Sequence, residues 1–405
     1  MLSIQKTLSS IFARIGLTNK WQQRFLFELF DLVFSVQGRL TFENMARYSK
    51  FHESTFRRHF AKFFDWLGFN LGLLQVAGLW DNTELIATMD CSFLPKAGKH
   101  TYGIDKFFSN HAKAHRYGLE ISVLALIDVA SAQAWTIDVS QTPAGLSGVK
   151  ASRQDYTRMD YYLEQIHDVM PSLSKVRYFV GDGYYAKQKV FNNLDHYDKH
   201  LITKLRPDAN LRYLYRTPDG PTARGRNKKY DGKVQWKELD LSRWQLVGQD
   251  LKWNYLQLYT LILNSPQLKR DLRVVLLVNT KTNQYILLAC SDLELDPRRI
   301  VHFYQLRFKI EFLFRDAKQF TGLTHCQARE ENKLDFHFNM SMAALNLAQL
   351  CLQHTETHKS MNSFVRKAYN YRLINFLFLQ LSSKAEFDLN HPSVLSAIEF
   401  GCLRA

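Results

Sequence analysis

Cysteine is scarce and unpatterned in this 405-residue chain: Cys91, Cys290, Cys326, Cys351 and Cys402 are odd in number and none form a C-x-x-C pair. That excludes a disulfide framework and a zinc-thiolate site, and it points to a reducing compartment. Long hydrophobic runs are missing too; none approaches the ~18–20 apolar residues that a membrane span needs. There is no internal repeat and no low-complexity tract. Acids are in deficit, with 38 Asp and Glu against 53 Lys and Arg, a formal net charge of +15. The first 27 residues hold no acid at all, but their helical pattern runs on without a cleavage-like break, so they read as part of the folded chain.

Hydrophobic residues make up 46% and aromatics 14%, enough for burial and against disorder. The length suggests two or three domains. A basic surplus on a folded chain favours a polyanionic partner, nucleic acid above a membrane surface. Residues 1–76 read as all helical, with ten Lys and Arg against five Asp and Glu. A short helix after Gly38 and a second opened by Ser54 or Thr55 resemble a helix-turn-helix, with Arg57, Arg58 and Lys62 near the exposed side of the second helix.

From residue 84 the pattern turns to strands. Leu85–Met89 is a short apolar run ending at Asp90, followed by strand runs at Tyr117–Asp128 and Ala134–Val139. A helix is expected over 153–170, a strand over Val176–Val180 leading into Asp182, a helix over Lys187–Leu194 and a strand over Leu201–Leu205. This order predicts an α/β fold: a ribonuclease-H-like mixed five-stranded sheet core with a β-rich insertion, flanked by helical N- and C-terminal regions. The expected divisions are 1–80 helical, 81–206 first part of the core, 207–292 insertion, 293–330 remainder of the core, and 331–405 helical. One long helix is expected from Pro297 to about Phe320, stopping at Gly322.

On that helix Tyr304, Arg307, Glu311 and Lys318 fall within an arc of about 60°, putting a phenol, a guanidinium, a carboxylate and an ammonium on one face. A solvated ion-pair face is the bland alternative, since Arg307 and Glu311 are i,i+4 partners. Carboxylates at two strand ends and a third on a helix across the sheet can instead converge. Such acids repel unless cations neutralise them, and oxygen-only ligation selects Mg²⁺ or Mn²⁺. Two such ions suit phosphodiester cleavage.

Asp90, Asp182 and Glu311, with Tyr304, Arg307 and Lys318 in the spacing Y-x2-R-x3-E-x6-K, resemble the DDE transposases of bacterial insertion sequences, cut-and-paste group. The segments MDCSFLPKAGKHTYG, GDGYYAKQKVF, KLRPDANL and KQFTGLTHCQAR carry the similarity over roughly residues 84–330. The resemblance implies catalytic, metal-holding roles for Asp90, Asp182 and Glu311, with two Mg²⁺ or Mn²⁺ ions. It implies DNA contacts from Tyr304, Arg307 and Lys318, and a base-stacking tryptophan in the insertion, for which Trp236, Trp244 and Trp253 are candidates. The implied partners are double-stranded DNA, both transposon ends and target, and a second copy of the chain on DNA. The expected location is the cytoplasm of a bacterium, with the nucleoid and no membrane.

Two further basic stretches are expected to touch phosphates. Lys96 to Arg116, with Lys96 and Lys99 foremost, would line the groove beside Asp90; residues 204–237 hold ten Lys and Arg against three Asp. His111 and His115 lack the further ligands that zinc requires. A domesticated, non-catalytic DNA-binding protein and a general nuclease of the same fold are the rival readings.

Overall fold

The computed structural model describes residues 2–146, 156–215, 228–249, 255–353, 360–381 and 388–398. The helical periodicity of the N-terminal region becomes α1 (Leu2–Arg14), α2 (Lys20–Ser35), α3 (Phe42–Arg47), α4 (Glu53–Phe60), α5 (Trp66–Val76) and α6 (Leu79–Asn82). The helix-turn-helix-like pair is α3 and α4, which pack on each other. The cap of α4 is not Ser54 or Thr55: His52 holds that place, its Nδ1 accepting from the Ser54 amide, so the helix starts earlier. Phe56 and Phe60 bury the inner side of α4, while Arg57, Arg58 and Lys62 stay exposed.

The sheet strands are β1 (Leu85–Pro95), β2 (Asp105–Ser109), β3 (Ala114–Asp128) and β4 (Gln133–Gln141), then α7 (Arg158–Val169), β5 (Tyr178–Gly181), α8 (Gln188–Asp195) and β6 (His200–Leu205). β1 runs antiparallel to β3 and parallel to β5, and β5 parallel to β6. Alternation along β1 sends Leu85, Ala87 and Met89 to the face covered by α7 and α8, and Ile86 to the other.

The insertion does not stand apart. Its strands β7 (Arg212–Leu214), β8 (Tyr230–Lys233), β9 (Gln245–Gln249), β10 (Leu256–Ser265), β11 (Arg270–Asn279) and β12 (Tyr285–Cys290) extend the same sheet, because β12 pairs antiparallel with β6. Among the described residues twelve strands result, ordered β2-β3-β1-β5-β6-β12-β11-β10-β7-β8, with β4 on β3 and β9 on β10.

The long helix expected from Pro297 is in fact two, α9 (Pro297–Leu306) and α10 (Lys309–Phe320). At Arg307 and Phe308 the ladder tightens to three-residue steps, with the Phe308, Ile310 and Glu311 amides reaching the Gln305, Arg307 and Phe308 carbonyls. Gly322 does end α10. Its φ of +69° suits glycine, and a Cβ there would lie 2.7 Å from Leu40 Cδ1.

The chain closes with α11 (Glu331–Gln353), α12 (Met361–Leu381) and α13 (Pro392–Ile398). α11 is buried along most of its length, against β4 on one side and α4 and α5 on the other. A buried amide clasp fixes it. Asn346 Oδ1 accepts from the Thr136 amide at 3.0 Å, and its Nδ2 donates to the Thr136 carbonyl at 2.7 Å and to Asn70 Oδ1 at 3.0 Å. Asn70 in turn donates to the Ile137 carbonyl at 3.0 Å. The β3–β4 register slips at this point, freeing backbone groups that the two asparagines satisfy. No helix among the described residues is long and apolar enough to cross a membrane.

Candidate active site

Asp90 lies on the face of β1 that carries Ile86, and it is mid-strand, not at the strand's end as the apolar run implied. β1 continues through Pro95 because β3 keeps pairing with it after the parallel overlap with β5 is over. That overlap pairs Ala87 with Phe179 and Thr88 with Val180, so the same register carried two residues on sets Asp90 beside Asp182. Thr88 Oγ1 donates to the Val180 carbonyl at 2.8 Å and Thr203 Oγ1 to the Asp182 carbonyl at 2.7 Å, locking the three strands there. Gly181 precedes Asp182 for a steric reason: a Cβ would sit 2.8 Å from that of Tyr185.

Each aspartate engages one oxygen locally. Asp90 Oδ1 accepts from the Cys91 amide at 2.8 Å, and Asp182 Oδ1 from the Tyr184 amide at 2.8 Å. Asp90 Oδ2 faces Arg307 Nη1 at 3.4 Å, while Nη2 of the same guanidinium lies 3.9 Å from Glu311 Oε1. Arg307 therefore spans the gap between the strand acid and the helix acid. Only 8% of its side chain is exposed, against 52% for Glu311. Its Nε is buried with no hydrogen-bond partner. Both contacts are long for a paired fork, and among the described residues no three His, Cys, Asp or Glu form a ready-made metal cage.

Burial pushes the Asp90 carboxyl up from 3.8 to about 6; the Cys91 amide and Arg307 oppose this, and the charges of Asp182 and Glu311 add to it. The shift is chiefly a burial effect, with the charges of Asp182 and Glu311 as its smallest causes. Since the folded pKa exceeds the unfolded one, the folded protein binds the extra proton between about pH 4 and 6, and stability falls across that window as pH rises. In metal-free protein, Asp90→Asn is expected to raise the melting temperature relative to wild type by an amount that grows from pH 4 to 6 and is level above it, worth about 1–2 kcal/mol. Melting curves at four pH values check this; a pH-independent difference would contradict the burial assignment.

The remaining helix residues line the same face. Lys318 Nζ donates to Ser92 Oγ at 2.7 Å and to the Phe93 carbonyl at 3.2 Å, bracing α10 against β1, and burial lowers its pKa. Tyr304 is half-buried, its ring 5.8 Å from the Arg307 guanidinium carbon. Lys96 bonds the Cys326 carbonyl and Lys99 is exposed. Their stretch contains β2 and a hairpin turn leading into β3, with His111 and His115 both exposed. Arg57 is held by Glu53, whereas Arg58 and Lys62 are exposed and form no ion pair among the described residues.

The family model for the transposase DDE domain matches residues 90–347. The chain belongs to this family. No curated protein matches it. Membership brings a transposase-type function, a nuclease activity in general terms, DNA as substrate and the family's general use of divalent metals. The match begins at Asp90 and ends in α11, so it spans the sheet, the insertion and the acid-bearing helix.

Of the tryptophans in the insertion, Trp236 donates its Nε1 to the Ala209 carbonyl at 2.7 Å and stacks on Tyr285 at 5.8 Å. Trp244 is buried, its Nε1 without a partner. Trp253 lies outside the described residues, as does much of the basic stretch between 216 and 227. The segment KLRPDANL has a visible job here, since the Pro207 carbonyl receives the Tyr285 hydroxyl at 2.8 Å and the Ala209 carbonyl receives Trp236. Sequence reasoning missed the buried cluster between β3 and α7: Glu120 accepts from Tyr162 at 2.7 Å and Thr142 at 3.0 Å and pairs with Arg158 at 3.2 Å. Its one available signal was an acid inside an otherwise apolar strand run.

Proposed function

We propose that this protein is an active DNA transposase of an insertion sequence, which binds the inverted repeats at the ends of its element, cleaves them and joins the 3′-hydroxyls to target DNA. Asp90, Asp182 and Glu311 are its catalytic carboxylates. The observation that supports the reading is the convergence of the acids around one guanidinium: Arg307 lies 3.4 Å from Asp90 and 3.9 Å from Glu311, and the strand carrying Asp90 pairs with the one that leads into Asp182. An all-oxygen donor set of this kind fits Mg²⁺ or Mn²⁺.

When bound, two such ions would activate the attacking oxygen and neutralise the leaving one. The chain's own residues do the rest. Asp90 and Asp182 each present the oxygen not tied to a backbone amide, and Glu311 is free to turn because half its side chain is exposed. Arg307 shares the carboxylates' charge in the absence of DNA and contacts a phosphate beside the scissile bond when DNA is present. Lys318 fixes the distance between α10 and β1 and contributes a cation to the same backbone, and Tyr304 contacts it nearby. Residues 1–80 recognise the ends, with Arg58 and Lys62 offered to DNA and Arg57 released from Glu53 on binding. Lys96 and Lys99 line the groove beside Asp90. Trp236, Trp244 and Trp253 are the candidates for base stacking, and coupled cleavage of two ends calls for a homodimer on DNA.

The test uses purified full-length protein, DNA carrying the element's flanking inverted repeats, Mg²⁺ and a supercoiled target. Cleavage at the repeat ends and joined products are expected. Nicking without end preference and without joining would favour a general nuclease, and binding without any cleavage a non-catalytic DNA-binding protein. Affinity should fall steeply between 50 and 200 mM salt, roughly a thousandfold or more if six or more phosphates are contacted.

A further inference from the structure

The arc of cations on α9 and α10 flanks the acids from the Glu311 side. A second, unassigned set of groups flanks them from the Asp182 side. Directly after Asp182 the chain makes a single tight turn, Gly183–Tyr185, and reaches Lys187 at the start of α8. The Lys187 ammonium stands 3.9 Å from the centre of the Tyr184 ring, and among the described residues no carboxylate forms an ion pair with it. Its neighbour Lys189 differs sharply: Asp160 accepts from it at 2.7 Å and Thr157 at 2.9 Å. The Tyr184 ring is 41% exposed and tilts against Tyr162 at 6.4 Å, over the Glu120 cluster. Within that cluster Arg158 spends one nitrogen on Glu120, and its buried Nε has no hydrogen-bond partner among the described residues.

A half-buried ammonium that among the described residues meets only a ring face has lost part of its hydration without gaining an anion there. Asp160 and Asp182 are the acids that act on it, and both have other partners, Asp160 in Lys189 and Thr157, Asp182 in the Tyr184 amide. We propose that Lys187, positioned by the exposed ring of Tyr184 and with Arg158 behind it, binds a DNA backbone phosphate on the Asp182 side of the site. The inference rests on the transposase reading and extends it: strand joining must seat two DNA segments around one set of acids, and the α10 cations flank only one side. The ligand is a phosphodiester, supplied either by the uncut element end or by the target strand.

The experiment compares wild type, Lys187→Gln and Lys187→Arg in two arms: binding and cleavage of uncut end DNA, and binding and joining of target by protein carrying pre-cut ends. In at least one arm, Lys187→Gln should reduce the slope of log affinity against log salt by about one and weaken binding by roughly threefold to tenfold at low salt, with Lys187→Arg close to wild type. The arm affected tells which segment supplies the phosphate. A Lys187→Gln protein with the wild-type slope in both arms would overturn the proposal, whatever its turnover. Melting temperature is read in parallel; should Lys187→Gln be poorly folded, Tyr184→Leu, which removes the ring that positions the ammonium, is expected to weaken the same arm, and an unchanged slope would overturn the proposal equally. If wild type itself cleaves no ends, the transposase reading fails; if wild type cleaves and Lys187→Gln matches it in both slopes, only this inference does.

Discussion

Asp182→Asn and Glu311→Gln should each reduce end cleavage by about three to four powers of ten while leaving end binding within a fewfold of wild type. The size follows from the loss of a metal ligand, several kcal/mol of transition-state stabilisation at about 1.4 kcal/mol per tenfold. Binding survives because neither side chain supports the fold beyond its own surroundings: Asp182 uses one oxygen for a local turn, and Glu311 is half exposed. An amide at position 182 still accepts the Tyr184 amide proton, so the turn persists. Arg307→Ala is a different case. It removes the cation between Asp90 and Glu311, so a loss of stability should accompany its loss of cleavage. Single-turnover cleavage on labelled ends, read beside a binding curve, separates these outcomes. Near-normal cleavage by Asp182→Asn would remove that residue from the site.

The largest expected effect on stability lies far from the acids, at Asn346. Asn346→Ala leaves the Thr136 amide and carbonyl and Asn70 Oδ1 without their bonds inside a fully buried seam. At about 1–3 kcal/mol for each stranded buried group, discounted for relaxation, the cost is about 3–6 kcal/mol. Gln353→Ala, at the exposed end of the same helix, removes one solvent-facing bond to Gln133 and should stay within about 0.5 kcal/mol. Denaturant midpoints of the two variants check the contrast; equal shifts would mean the clasp contributes nothing special. Because the clasp joins α5, α11 and β4, its loss should also loosen the N-terminal helices from the sheet.

Much of the architecture was legible from local pattern. Alternating apolar runs marked β3 to β6, and a helix stop at Gly322 followed from glycine after a periodic run. The spacing of Arg307 and Glu311 on one helix face anticipated their approach, whereas Asp90, expected at a strand's end, lies mid-strand. What local pattern could not show was partnership. Nothing in Leu85–Met89 says that β3 will carry β1 on to Pro95, and nothing in 207–292 says that β12 will pair with β6. The break at Arg307 and Phe308 is invisible in a sequence with no proline or glycine there. It coincides with the burial of Arg307, a tertiary event. The docking of α4 and α5 on α11 likewise joins residues nearly three hundred positions apart, as Phe60 against Phe336 at 4.5 Å shows.

The most direct test of the central claim is divalent-ion binding itself, measured by Mn²⁺ electron paramagnetic resonance on the full-length protein with end DNA. Wild type should immobilise Mn²⁺, and Asp90→Asn, Asp182→Asn and Glu311→Gln should each weaken that binding by at least about tenfold, with Mg²⁺ competing in wild type. Undiminished Mn²⁺ binding in all three single variants would contradict the account: the three acids would then not share an ion.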